Sequence, residues 1–361
     1  VGVGDADQIG LDNATPQASG SGPTDRCYAA LDLGTNNCRL LIARPAPAGF
    51  RVIDSFSRIV RLGEGLGQSG RLCPQAIERT LSALHVCRDK LDSRRVTRTR
   101  LIATEACRAA DNGAAFIDRV AVQTGLQLEI VDRETEAGLA TAGCAALADD
   151  RAEGVLLFDI GGGSSEVVWL TRASDTENRS GEHEGIRDRI RLWTSLRLGV
   201  VSLAESFGGR IVTPAVFEAM VAYVTVEMKE FAERARSEMR CSRFHLLGTS
   251  GTVTTLAGVH LNLPRYDRRR VDGLWMSHAD VDEAIARLRN MSFDARVAHG
   301  CIGPDRADLV LAGCAIFEAI RRAFPSERVR IADRGLREGL LMQMMAADGV
   351  WCRDAQTSRM Q

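Results

Sequence analysis

Short apolar runs closed by glycine or polar clusters recur along the first half of the chain: Tyr28–Leu33, Cys38–Arg44 and Phe50–Ile59. Their length and β-branched or aromatic content predict buried strands. From Pro74 the period changes. Ile77, Leu81, Leu84 and Leu91 share one face of a helix that opens on a proline. "RTRLIATEA" predicts another buried strand and "EIVD", Glu129–Asp132, a further one, with a helix from Asp111 between them. A helix follows, opening at the turn that holds Glu136 and running to about Leu147. Strand and helix alternating in this way predict an α/β sheet.

The second half repeats the theme. "GVLLFDI" and "SSEVVWL" predict two strands around a tight turn, and the polar region Thr171–Arg189 predicts a mobile loop joining two hairpin strands. Helices are expected at Pro214–Arg236, His278–Arg289 and Arg306–Ala323, and "RVRIADRGLREGLLMQMM" reads as strand, turn and helix. The resulting organisation is a disordered lead-in over 1–25, two units over 26–150 and 151–350, and a weakly apolar tail over 351–361. The apolar stripe Leu309, Leu311, Ile316 and Ile320 is core or a dimer face, and a homodimer is the expected assembly.

Length supports two domains, since 361 residues exceed the usual single-domain size. The net charge of −1 gives no surface for coating nucleic acid. No apolar run is long enough to cross a bilayer, so neither nucleic acid nor membrane is an expected partner. Ten cysteines occur without a CxxC pair or zinc-like spacing. With no signal peptide recognisable, reduced thiols and a cytoplasmic location are expected.

The chemistry gathers at glycine turns. In "FDIGGGSSEVVWL" an aspartate at a strand end precedes three glycines, residues whose ordering is entropically costly. Backbone N–H groups of such a turn form a nest for anions, and an acid beside it can hold a divalent cation. "AALDLGTNNCRLLIA" has the same grammar around Asp32, a domain-sized interval earlier. "LLGTSGTVTTLAG" adds a third glycine turn, between a strand and a helix N-terminus, where anions are favoured. Together the three turns predict a phosphate-binding cleft between two related halves.

Six segments in order are "DLGTNN", "ATEACRAADN", "EIVDRETEAGLA", "FDIGGGSSEVV", "LGTSGT" and "ADRGLREGLL". In that order they resemble the exopolyphosphatase/guanosine pentaphosphate phosphatase family, of the superfamily of actin, the heat-shock chaperones and the sugar kinases. The resemblance spans about Tyr28 to Met345 and is to the short, two-domain members. It implies two ribonuclease-H-like, actin-like ATPase domains with the active site in the cleft between them. It also implies Mg²⁺-dependent hydrolysis of terminal phosphate from inorganic polyphosphate, with Mn²⁺ as the alternative cation. The alternatives are the 5′-phosphohydrolysis of guanosine pentaphosphate (pppGpp to ppGpp), and an actin-fold polyphosphate or nucleotide kinase. A nucleotide-gated binding protein is the non-enzymatic reading.

The resemblance assigns roles residue by residue. Glu136 matches the glutamate that activates water, and its place at a helix N-terminus favours the ionised form. Glu134 competes on chemistry alone. The usual Ser-Gly before this turn is Asp132-Arg133 here, and the usual neighbouring acid is Thr135. Arg108 joins Glu136 as catalytic, and Arg39 and Arg108 both suit bidentate phosphate contacts. Phosphate is expected on Gly34, Thr35, Asn36 and Asn37, on Gly161, Gly162, Gly163 and Ser164, and on Ser250, Gly251 and Thr252. Asp32 and Asp159 are the cation candidates, with Glu166 behind them or simply a solvated strand residue. "PRYDRRRVDG" either lines the path of a polyanion or is a solvated basic loop. The six histidines show no ligand spacing.

Overall fold

The computed structural model describes residues 26–47, 49–172, 189–239 and 243–351. The lead-in 1–25, most of the Thr171–Arg189 loop and nearly all of the tail lie outside the described residues. Eleven strands are described, forming two mixed sheets. The first holds β1 (Tyr28–Leu33), β2 (Asn37–Ala46), β3 (Gly49–Ile59), β4 (Arg98–Ala103) and β5 (Glu129–Ile130), in the order β3-β2-β1-β4-β5. The second holds β6 (Gly154–Ile160), β7 (Ser165–Thr171), β8 (Ile190–Leu196), β9 (Phe244–Thr249), β10 (Trp275–Ser277) and β11 (Arg328–Ala332), in the order β10-β11-β9-β6-β7-β8.

Apart from the edge strand β10, the two sheets share one topology. β1 pairs antiparallel with β2 and parallel with β4, as β6 pairs with β7 and β9. The halves are duplicates.

Side chains alternate across each strand, so each sheet has two apolar faces to cover. Leu31, Leu33, Leu40 and Ile42 pack with Ile77, Leu81 and Leu84 of the Pro74–Ser93 helix. The opposite face, with Tyr28, Ala30, Leu41 and Ala43, is covered by Leu340, Leu341, Met344 and Met345 of the Leu336–Ala347 helix. That helix follows β11 of the other sheet. Reciprocally, the Arg133–Cys144 helix follows β5, yet its Ala137 and Cys144 pack with Val155, Leu157, Val168 and Leu170 of the second sheet. Each half thus lends its last helix to its twin. The two helices touch backbone to backbone: a Cβ at Gly143 would stand 1.9 Å from the Gly335 carbonyl oxygen, and one at Gly339 2.1 Å from that of Leu139. Sequence units at 26–150 and 151–350 do not display this exchange.

Several expected elements have different bounds. The "RTRLIATEA" strand stops at Ala103, and a short helix, Glu105–Ala109, turns Glu105 inward. The helix expected from Asp111 starts at Gly113, and "EIVD" pairs only over Glu129–Ile130. The Pro214–Arg236 helix is two, Pro214–Glu227 and Lys229–Glu238, divided at Met228, whose side chain is buried in the core. The helix expected from Arg306 begins at Val310, which frees Arg306 from the helix. Leu309, Leu311, Ile316 and Ile320 are all buried in the second core. The eight described cysteines are free thiols.

Candidate active site

Two matching turns face each other. In the first, the Gly34 N–H donates to the Asn37 carbonyl at 2.9 Å; in the second, the Gly161 N–H donates to the Ser164 carbonyl at 2.9 Å. Asp32 lies opposite Arg39 in the β1–β2 register, and Asp159 lies opposite Glu166 in β6–β7. The duplicated hairpin therefore carries an arginine at its inner corner in one half and a glutamate in the other.

The carbonyls of both turns are tied back. Thr35 O accepts from Gly63 N–H and Asn36 O from Val60 N–H, while Gly161 O accepts from Val200 N–H and Gly162 O from Val201 N–H. The N–H groups of Thr35, Asn36, Gly162 and Gly163 have no hydrogen-bond partner among the described residues. They are donors available to an anion. The N–H groups of Gly34 and Gly161, expected to bind phosphate, are instead spent in closing their turns.

Space explains the glycine run. None of Gly161, Gly162 and Gly163 adopts a left-handed φ. A Cβ at Gly162 would lie 3.0 Å from Thr35 Cβ, and one at Gly163 2.5 Å from Thr35 Oγ1. The two turns approach so closely that neither tolerates a side chain between them.

The third turn is strained. Ser250 caps the Gly251–His260 helix with a φ of 122°, a region that L-residues rarely enter, and its Oγ accepts from the Thr252 N–H at 3.2 Å. Such an outlier persists only when its surroundings hold it in place.

Between the turns lies an open cleft of about 940 Å³, solvent space included. All the residues assigned to phosphate and cation line it, together with Glu136. Arg108 does not. Its guanidinium lies behind Glu136, donating through Nη2 to Glu136 Oε2 at 3.0 Å and to Glu105 Oε2 at 2.6 Å. Its Nη1 donates to the Val131 carbonyl at 2.6 Å. The guanidinium is therefore spent on protein groups and holds the base, where a bidentate phosphate contact was expected.

Five carboxylates line the cleft, and four of them, Asp32, Glu136, Asp159 and Glu166, are shifted by burial. Burial pushes Glu136 up to about 7, against the pull of Arg108 and with help from Asp32 and Asp159. Asp159 is raised to about 6 by burial and by Asp32, with Arg39 opposing. Asp32 is raised by burial, and Arg39 and Arg337 oppose this. Glu166 is raised well above its usual range by burial, Glu136 and Asp159, although Ser195 Oγ donates to it at 2.7 Å. At Glu136, burial thus overrides the helix N-terminus, which is capped instead by Asp132 accepting from the Thr135 N–H at 2.7 Å.

The sequence profile of the Ppx/GppA phosphatase family matches residues 41–348. The chain belongs to that family. It is 28% identical over 333 residues to exopolyphosphatase 2 of Mycobacterium tuberculosis, covering 88% of this chain and 98% of that protein. It is also 28% identical over 323 residues to the guanosine-5′-triphosphate,3′-diphosphate pyrophosphatase of Aeromonas hydrophila, covering 88% of this chain but 59% of that longer protein. The Aquifex aeolicus Ppx/GppA crystal structure superposes with a TM-score of 0.70 at 27% identity, covering 90% of this chain and 98% of that one. An exopolyphosphatase structure from Cytophaga hutchinsonii shares the fold at a TM-score of 0.78 and 22% identity, over 89% and 98% of the two chains. The two-domain actin-like architecture is that of the Ppx/GppA phosphatases, hydrolases of phosphoanhydride bonds.

In this family member the donor set suits a hard divalent cation. Asp32 raises the proton affinity of Asp159 across the cleft, a repulsion that a cation would relieve. Mg²⁺ requires only one or two carboxylates, with phosphate oxygens and water completing its shell. Glu166 is a buried acceptor for Ser195, so it stands behind Asp159 and is not a solvated strand residue.

Two residues escaped the sequence reading. Arg306 lines the cleft beside Gly251, where a Cβ would lie 3.6 Å from its Cζ. A cation at a helix N-terminus opposes the dipole, and that was the available signal. Glu105 is buried in the cleft wall. Its signal was an acid three residues before Arg108, the spacing of a helical ion pair. Of the two readings of the basic loop, the structure matches the solvated one: Arg268 pairs with Asp333 and Glu338, while Arg265, Arg269 and Arg270 are exposed, and none lines the cleft. His245 is buried, with Nε2 accepting from the Asp149 N–H at 3.1 Å.

Proposed function

We propose that the chain is an exopolyphosphatase that hydrolyses the terminal phosphoanhydride of inorganic polyphosphate in a Mg²⁺-dependent reaction. The observation that carries this reading is Glu136, a carboxylate pushed up to about 7 and gripped by Arg108, in a cleft lined by unpartnered N–H groups. A base with a pKa near neutrality combines availability with proton affinity at working pH.

Phosphoryl transfer depends on positioning and charge neutralisation more than on covalent chemistry. Thr35, Asn36, Gly162 and Gly163 offer backbone donors, and Arg39 and Arg306 offer guanidinium groups, to the phosphate oxygens. A water oxygen attacks the terminal phosphorus while its proton passes to a Glu136 carboxylate oxygen. The bond from phosphorus to the bridging oxygen breaks, and its electron pair leaves with the shortened chain. A divalent cation held by Asp32 and Asp159 supplies neutralisation of phosphate charge when bound.

The Aeromonas relative, matched at the same 28% identity, supports a second reading in which the same chemistry removes the 5′-terminal phosphate of guanosine pentaphosphate. Orthophosphate release from long-chain polyphosphate and from guanosine pentaphosphate, each with Mg²⁺, with chelator and with Glu136→Gln, tests both. Consumption of polyphosphate, abolished by chelator and by the variant, is expected. Hydrolysis of the nucleotide alone would shift the assignment to the second substrate, and binding without turnover would overturn both.

A further inference from the structure

We propose that Glu105 is a positioning residue: with Arg133 it locks the guanidinium of Arg108 in the orientation that places an Nη2 proton on Glu136. The proposal rests on the reading of Glu136 as the group that activates water.

Glu105 is 7% exposed and lies in the wall of a cleft built for anions. Its Cγ lies 3.3 Å from where a Cβ at Gly163 would stand, beside the second phosphate turn. A buried carboxylate in that place repels substrate and is costly to desolvate unless it is paired. It is paired twice. Arg108 donates to Glu105 Oε2 from Nε at 3.1 Å and from Nη2 at 2.6 Å. From the other side, Arg133 Nη2 donates to Oε1 at 2.8 Å and to Oε2 at 2.9 Å.

A guanidinium is planar, so a few fixed contacts set its whole orientation. For Arg108 those contacts are Glu105 on the Nε edge and the Val131 carbonyl on Nη1. The remaining Nη2 proton reaches Glu136 Oε2 at 3.0 Å. With Glu136 ionised, the row Arg133, Glu105, Arg108, Glu136 alternates cation and anion and is neutral as a whole. Without Glu105, Arg108 is a loosely held cation beside a phosphate cleft, free to turn from the base to the substrate. Arg133 thereby acquires a purpose: it neutralises Glu105.

Glu105→Gln and Glu105→Asp are compared with the wild type for orthophosphate release and thermal stability. For the Gln variant, kcat about tenfold lower with KM within about twofold is expected, because a misdirected base slows chemistry without removing substrate contacts. The Asp variant recovers part of kcat. A Gln variant with wild-type kcat, or with kcat and KM changed together, would overturn the proposal. Side-chain ¹⁵N spectra of Arg108 give a readout independent of turnover. Hindered guanidinium rotation is expected in the wild type, lost in the Gln variant and regained with Asp. Persistence of that signature in the Gln variant also overturns the proposal. If the wild type releases no orthophosphate from either substrate, the assigned function falls and the arginine spectra alone decide the role of Glu105.

Discussion

Arg108 Nη2 donates to Glu136 Oε2 at 3.0 Å, while the same nitrogen donates to Glu105 at 2.6 Å. Glu136 shares its cation, and burial then outweighs the attraction. Glu136→Gln should lower kcat by about 10²–10⁴-fold, the usual contribution of a general base, with KM little changed. Because the ionised form accepts the proton, activity of the wild type should rise with pH through about 7. Arg108→Gln removes the group that holds the pKa down, so its acid limb should move to higher pH. A pH profile of kcat for the three proteins checks both statements.

Stability without cation should depend on pH with the opposite sense. Glu136 and Asp159 are raised from ordinary values of 4.5 and 3.8 to about 7 and about 6, so the folded state holds protons that the unfolded state has lost. Their contribution is fully present below the unfolded values and disappears as pH rises through 6 to 7. Asp54, held at about 2 first by Lys90 and also by Arg94, titrates below this window. In chelator, Tm should fall between about pH 5 and 7.5. Mg²⁺ should flatten that fall. Thermal unfolding across the range, with and without the cation, measures it.

Asp32→Asn and Asp159→Asn each remove a charge from the repelling pair. Both variants should be at least as stable as the wild type in chelator, and neither should gain the rise in Tm that Mg²⁺ gives the wild type. A stabilisation by Mg²⁺ that survives in both variants would place the cation elsewhere.

Gly163→Ala puts a methyl group 2.5 Å from Thr35 Oγ1, and the two turns must part to admit it. A loss of about 1–3 kcal/mol in stability is expected from such overpacking, with a larger effect on turnover than on unfolding. Gly138→Ala is the control. On the Glu136 helix, a Cβ at that position meets nothing within 4 Å. It should stabilise by up to about 1 kcal/mol through helix propensity and leave kcat unaltered. Urea unfolding of both variants separates the two outcomes.

Arg61 joins the halves near the cleft mouth, donating to Asp308 from Nη1 and Nη2 at 2.9 Å each and to the Asp305 carbonyl at 3.1 Å. It holds a φ of 47° to do so. Asp308→Asn should leave the fold intact and raise KM severalfold by loosening the join between the halves, as substrate titrations of initial rate will show.

The hydrophobic pattern located nearly every strand, because the period of alternation is a property of the chain itself. The three glycine turns and the two aspartates were equally legible, as a repeated grammar of apolar strand, acid and glycine. Helix bounds were less so. The helix start placed at Arg306 lies at Val310, and the Pro214–Arg236 helix divides at Met228, since local propensity does not register which residues the core will take up.

Sequence alone determined the duplicated halves and the glycine turns, each carried by residues close in the chain, while the candidate base Glu136 came from the order of six segments along the whole chain. Only the tertiary structure decided what those residues meet. It set the glycines of 161–163 against Thr35, exchanged the last helices between the sheets, and bracketed Arg108 between Glu105 and Glu136. The physical reason is distance along the chain: Arg39 and Glu166 occupy the same corner of twin hairpins, yet the charge each one feels comes from residues that only folding brings near.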